Sequence, residues 1–182
     1  MRFVTLPGIG NSGPDHWQSR WEEQCPDMVR FKPGSWDTPE IDNWLDALDT
    51  VVRKVGPNGV LVAHSLSCLL VAHWSGRSSL PIAGAFLVAV PDPSTAAFPA
   101  EAASFSPTPV ARLRFPSMIL ASSNDPYASI AYTRQCARQW GSAVVEVGPL
   151  GHVNAASGIG DWPWGRNRLL AFAEGRGGAI AT

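Results

Sequence analysis

The chain has 182 residues, 45% of them apolar, with 14 basic and 15 acidic side chains and a net charge of −1. That length fits one domain with a sizeable core, burying roughly 70% of the unfolded surface. The balanced charge, with no basic run or acidic tail, argues against nucleic acid or an anionic membrane as partner. Apolar stretches such as AGAFLVAV are too short to span a bilayer.

Strand and helix patterns alternate along the whole chain. RFVTL (2–6) reads as a first strand and DHWQSRWEEQC (15–25) as a helix, with Asp15 as candidate cap. MVRF (28–31) is a short second strand. Thr38 as N-cap and Pro39 at the first helical position open a helix through Val55. Its apolar residues Ile41, Leu45, Leu48, Val51, Val52 and Val55 recur at helical spacing and mark one buried face. VLVAH (60–64) is apolar almost throughout, as suits a strand covered on both sides. A helix follows, with Gly76 as its expected stop. AGAFLVAV, SMILAS and AVVEV supply strands four to six. Helices fall between strands five and six and at the end, in RNRLLAFAEG.

Alternation of this kind predicts an α/β fold: a three-layer α/β/α sandwich on a six-stranded parallel sheet of order 2-1-3-4-5-6. The expected domain is 1–175, followed by a frayed tail at 176–182. The segment 91–115 is rich in Pro, Ser and Ala. It is expected to form a flap with a short helix near Ala96–Ala103, and no large lid domain. The three cysteines, Cys25, Cys68 and Cys136, are odd in number and far apart. They read as reduced thiols of a cytoplasmic protein rather than a disulfide framework or a metal site. MRFVTLPG at the start has no features of a secretory leader.

Two motifs carry chemistry. Gly8, Gly10 and Gly13 spell the G-x-G-x-x-G of a dinucleotide loop. An NAD(P) site also needs an acidic residue ending the second strand, where this chain has Lys32 and Pro33. Arg30 could serve a 2′-phosphate, so the cofactor reading stays open on that test. Gly13, however, is followed by Pro14 and Asp15, a helix start rather than a helix interior.

The second motif is AHSLS, 63–67. Ser65 lies between an apolar strand and a helical pattern, the setting of a nucleophile elbow, where a strained turn raises the serine above the sheet. Residues two before and two after must be small, and here they are Ala63 and Ser67. The plainer reading is that Ser65 caps the helix. Candidate partners follow strands five and six: Asp125 in ASSNDPYAS and His152 in EVGPLGHVN, giving the order serine, acid, histidine. Asp92 is the rival acid. His73 reads as structural, His64 as pointing away from the nucleophile, and His16 as a possible pocket wall.

Attack on a carbonyl requires backbone N–H donors for the oxyanion. Leu66, just after the serine, is one candidate. Ile9, or Gly10 as second choice, is the other. The glycines would then let the first loop turn its amides toward the substrate. Of the eight tryptophans, those in helical segments read as packing. Trp162 and Trp164 could wall a substrate pocket, and Asp161 could shape the turn before Pro163.

PGIGNSGPDHWQSRWE, LVAHSLSC, SSNDPYAS and GHVNAASGIGDWPWG together resemble the retinoblastoma-binding-protein-nine/YdeN family of small serine hydrolases, over residues 2–174. The resemblance implies a minimal α/β-hydrolase fold with nucleophile, acid and base on Ser65, Asp125 and His152. Members of that family are serine hydrolases of generally undefined natural substrate; the expected reaction is acyl transfer from a small ester-like molecule to water, which needs neither metal nor cofactor. The family's namesake binds retinoblastoma protein through L-x-C-x-E, which is absent here. That partner is therefore not expected. A catalytically idle binding protein on the same fold is the alternative.

Overall fold

A computed structural model describes residues 1–175; the expected frayed tail, 176–182, lies outside them. Six strands form one parallel sheet of order β2-β1-β3-β4-β5-β6, as the alternation predicts. They are β1 (Phe3–Leu6), β2 (Met28–Arg30), β3 (Val60–His64), β4 (Gly84–Val88), β5 (Ser117–Ala121) and β6 (Ala143–Glu146). The helices are α1 (Trp17–Gln24), α2 (Ile41–Val55), α3 (Leu66–Arg77), α4 (Ile130–Trp140) and α5 (Pro163–Ala173).

Strand side chains point alternately to opposite faces, so one sheet builds two cores. Val4, Leu61, Leu87 and Ile119 pack with α2, α3 and α4. Phe3, Val62, Phe86 and Leu120 pack with Trp17 and Trp21 of α1 and Leu169 of α5. The central strands β3, β4 and β5 are buried along their whole length. The five tryptophans that the sequence places in helical segments (Trp17, Trp21, Trp44, Trp74 and Trp140) are at most 1% exposed, in keeping with a packing role. Among the described residues no helix is long and apolar enough to cross a membrane.

Several boundaries differ from the sequence expectation. The N-cap of α1 is His16, not Asp15: its ring Nδ1 accepts from the Gln18 amide at 3.2 Å. Helix α2 starts at Ile41 rather than Pro39: Glu40 is extended, at φ −114 and ψ 127, and the Ile41 amide donates to the distant Ser104 hydroxyl. Gly76 lies inside α3, which runs on to Arg77. In the 91–115 segment the helical piece is a 3-10 turn at Ala100–Phe105. Pro99 keeps Phe98 out of helical conformation and displaces the expected start at Ala96. This flap is tied down, since His73 donates to the Phe105 carbonyl at 2.9 Å.

Candidate active site

The strand β3 runs into α3 with a single residue between them, Ser65, at φ 54 and ψ −125. A non-glycine residue there is strained, and its surroundings must hold it. The Ser65 amide donates to the Val88 carbonyl at 3.0 Å, and the Cys68 amide caps the Ser65 carbonyl at 2.8 Å. Ala63 and Ser67 are fully buried, which is why both must be small. Ser67 also donates its hydroxyl to the Pro7 carbonyl at 2.5 Å, joining the elbow to the loop after β1. No side-chain capping bond from Ser65 to α3 exists, so the plain N-cap reading does not describe it.

Above this elbow, the loops after β5 and β6 bring in the other two groups. His152 Nε2 lies 2.8 Å from Ser65 Oγ. His152 Nδ1 lies 2.9 and 3.0 Å from the two Asp125 carboxylate oxygens. A carboxylate only accepts, so Nδ1 carries the proton and Nε2 is left to accept from the serine. Asp125 is fixed by the Tyr127 amide at 2.9 Å. The rival Asp92 bonds instead to the amide and hydroxyl of Ser94.

The first glycine loop lies against the same serine. A side chain at Gly8 would place its Cβ 2.9 Å from Ser65 Cβ and 3.4 Å from Ser65 Oγ. Gly10, at φ 75, turns its amide onto the Trp36 carbonyl at 2.9 Å. That N–H is committed, so Gly10 drops out as an oxyanion donor and Ile9 remains beside Leu66. Nor does the loop favour a dinucleotide. His16 occupies an amide at the start of α1, and the Arg30 guanidinium is taken up by Glu22, Asn11, Ser12 and Ser19.

A family model for serine hydrolases matches residues 3–171. The chain belongs to the serine hydrolase family. It is a hydrolase of that class. Among solved structures it is similar to a YdeN-like hydrolase from Pectobacterium atrosepticum, at 31% identity and TM-score 0.85, covering 95% of this chain and 90% of that one. The ydeN gene product of B. subtilis is 20% identical at TM-score 0.73, over 94% of this chain and 98% of that one. N-formylmaleamic acid deformylase from Pseudomonas putida S16 shares the fold, at 11% identity and TM-score 0.71, with 91% of each chain covered. No curated protein matches the sequence.

In this serine hydrolase the relay opens on a cavity of about 190 Å³. Ile9, Leu66, Pro91, Phe98, Pro99 and Ala102 form its apolar walls; Asn11, His16, Tyr127 and Asn154 add polar groups. Trp162 and Trp164 are not among the lining residues. Trp162 is 5% exposed and packs against Trp17 and Trp21, while Trp164 is half exposed in the first turn of α5. Both face a separate groove with Val147, Leu150 and Ile159. Asp161 does not merely shape a turn: its side chain receives Arg20 and Gln24, and its carbonyl receives Trp21 Nε1 at 2.6 Å.

Sequence reasoning missed Phe98, Pro99 and Tyr127 as walls; the Tyr127 ring lies 4.5 Å from that of His152. The available signal for Phe98 and Pro99 was the flap-like composition of 91–115; Tyr127 lies two residues past Asp125. Cys68 is wholly buried, and burial raises its thiol pKa, so it is not a nucleophile. Among the described residues no cluster of three or more His, Cys, Asp or Glu could hold a metal ion.

His16 is 5% exposed, and burial, with the charges of Arg30 and His152, pushes its pKa down to about 4. The unfolded chain, at 6.5, then binds more protons than the folded one between those values. Stability is full above pH 6.5 and is lost as pH falls through about 4. The His16 contribution to that loss is on the order of 3 kcal/mol. His16→Asn keeps a capping acceptor and removes the titration. Urea melts across this pH range will show a flatter acid limb for the variant, and parallel limbs would contradict this account.

Proposed function

We propose that the protein hydrolyses small, uncharged carboxylic esters through an acyl-enzyme on Ser65. The supporting observation is the continuous relay from Ser65 Oγ through His152 to Asp125 at the floor of a compact cavity. His152 Nε2 takes the hydroxyl proton as Ser65 attacks the ester carbonyl, and Asp125 stabilises the resulting imidazolium. The carbonyl oxygen becomes an oxyanion held by the N–H groups of Leu66 and Ile9. Leu66 opens α3, so its amide has no carbonyl within the helix and sits at the positive end of the helix dipole.

Collapse of this intermediate breaks the acyl–oxygen bond, and His152 returns its proton to the departing alkoxide. Water then gives a proton to His152 and attacks the acyl carbon; the acyl–Oγ bond breaks, His152 returns that proton to Ser65 Oγ, and the carboxylic acid leaves. No step requires a cofactor. The three cysteines are unpaired thiols, in keeping with a reducing, cytoplasmic setting.

Size and charge define the substrate class. A volume of 190 Å³ holds about six water-sized groups and falls below the usual ligand-pocket range. No lysine, arginine, aspartate or glutamate lines it. On a series of p-nitrophenyl esters, kcat/KM will be greatest for chains of about two to four carbons and fall at least tenfold by ten carbons. A rising trend with chain length would refute the size argument.

A further inference from the structure

The relay leaves one buried imidazole in direct contact with it unused. His64 ends β3, immediately before the nucleophile, and is 5% exposed. Its Nε2 lies 2.8 Å from the backbone carbonyl oxygen of His152. A carbonyl oxygen only accepts, so His64 Nε2 must carry the proton. The expectation that this ring points away from the chemistry is corrected: it lines the same cavity as Ser65 and holds the peptide of the base.

That peptide needs holding. Gly151 has φ 56 and Val153 has φ 49. Positive φ at a β-branched residue is a genuine outlier and persists only where neighbours over-determine it. Trp17 Nε1 donates to the Val153 carbonyl at 2.8 Å, and the Gly151 amide donates to Asn124 Oδ1 at 2.7 Å. Of these anchors, His64 alone belongs to the strand that ends in the nucleophile. It therefore links the base and the serine through one side chain.

We propose that His64 is a positioning residue whose Nε2–H, bonded to the His152 carbonyl, sets the reach of the His152 ring to Ser65. The proposal rests on His152 as the base. The groups facing His64 are His16 and His152, with ring centroids at 4.8 and 5.0 Å, and Asp125 stands behind His152. Burial and these two imidazoles hold His64 neutral well below its ordinary pKa. A neutral ring donates without opposing the imidazolium that His152 becomes during turnover.

His64→Phe keeps a flat ring and removes the donor, whereas His64→Gln offers an N–H at similar reach. A misplaced base lowers kcat for a short p-nitrophenyl ester roughly 10- to 100-fold in the Phe variant, with KM changed less than about threefold. The Gln variant recovers most of kcat. Histidine nitrogen NMR of the unaltered protein should show His64 as the neutral Nε2–H tautomer.

Wild-type kcat in a folded Phe variant, a folded Gln variant as slow as Phe, or an Nδ1–H tautomer would each overturn the proposal. If the Phe variant does not fold, the Gln variant and the tautomer decide. Fluorophosphonate labelling separates the two levels of inference. A wild type that does not label ends the ester-hydrolase reading and this proposal together. A wild type that labels, with an indifferent Phe variant, ends this proposal alone.

Discussion

Ser65→Ala will lower ester turnover by about 10⁴-fold or more and abolish fluorophosphonate labelling, with the fold intact. The separation of activity from stability follows from the geometry. Ser65 sits at φ 54, and the Val88 and Cys68 bonds that hold it there are made by its backbone. Alanine keeps that backbone and the same Cβ, so the strain is neither relieved nor increased. Only the Oγ contact to His152, at 2.8 Å, is lost. The melting temperature should move by a few degrees at most, since one partly buried hydrogen bond is worth about 1 kcal/mol. Residual turnover would come from the oxyanion donors and substrate binding. A folded alanine variant that still labels, or turns over ester at near the wild-type rate, would remove Ser65 as nucleophile. A wild type that neither labels nor turns over ester would revive the idle binding protein.

The relay was legible in the sequence because each member lies just past a strand pattern, Ser65 directly and Asp125 and His152 a few residues on. An apolar run buried on both faces is a strand, and residues just past the carboxyl ends of parallel strands share one rim. Ser65 and Asp125 follow the buried strands β3 and β5, and His152 follows the partly exposed edge strand β6. What escaped depends on contacts between residues far apart in the chain. Nothing local places the Ile41 amide on Ser104 or the His64 ring on the carbonyl of residue 152. Trp162 and Trp164 show the opposite error, in which nearness to His152 in sequence stood in for nearness in space. Gly158 and Gly160, both at positive φ, turn the chain back over α1 after the base, carrying the tryptophans to another groove.

Gly8→Ala carries the second large effect, and it distinguishes the two readings of the glycine loop. Gly8 has no left-handed φ, so alanine can adopt its backbone. The obstacle is space: the new methyl would lie 2.9 Å from Ser65 Cβ and 3.4 Å from the His64 carbonyl. None of these is the tip of a flexible side chain. Relief must come from moving the loop or the elbow, and either one disturbs the alignment of Ser65, Ile9 and Leu66. A shift on the order of 1 Å can cost about 10²-fold in kcat/KM, while overpacking costs about 1–3 kcal/mol of stability. Gly13 provides the control, because a Cβ there meets nothing within 4 Å and its φ is not left-handed. Gly13→Ala should leave ester hydrolysis within about twofold of wild type, in keeping with a surface substitution. A pyrophosphate loop would behave otherwise: its first glycine makes the tight turn and its third packs helix on strand, so both would be needed for nucleotide binding. Equal losses at the two positions, with NAD(P)-dependent thermal stabilisation in the wild type, would return the loop to a cofactor. Loss at Gly8 alone assigns it to the nucleophile.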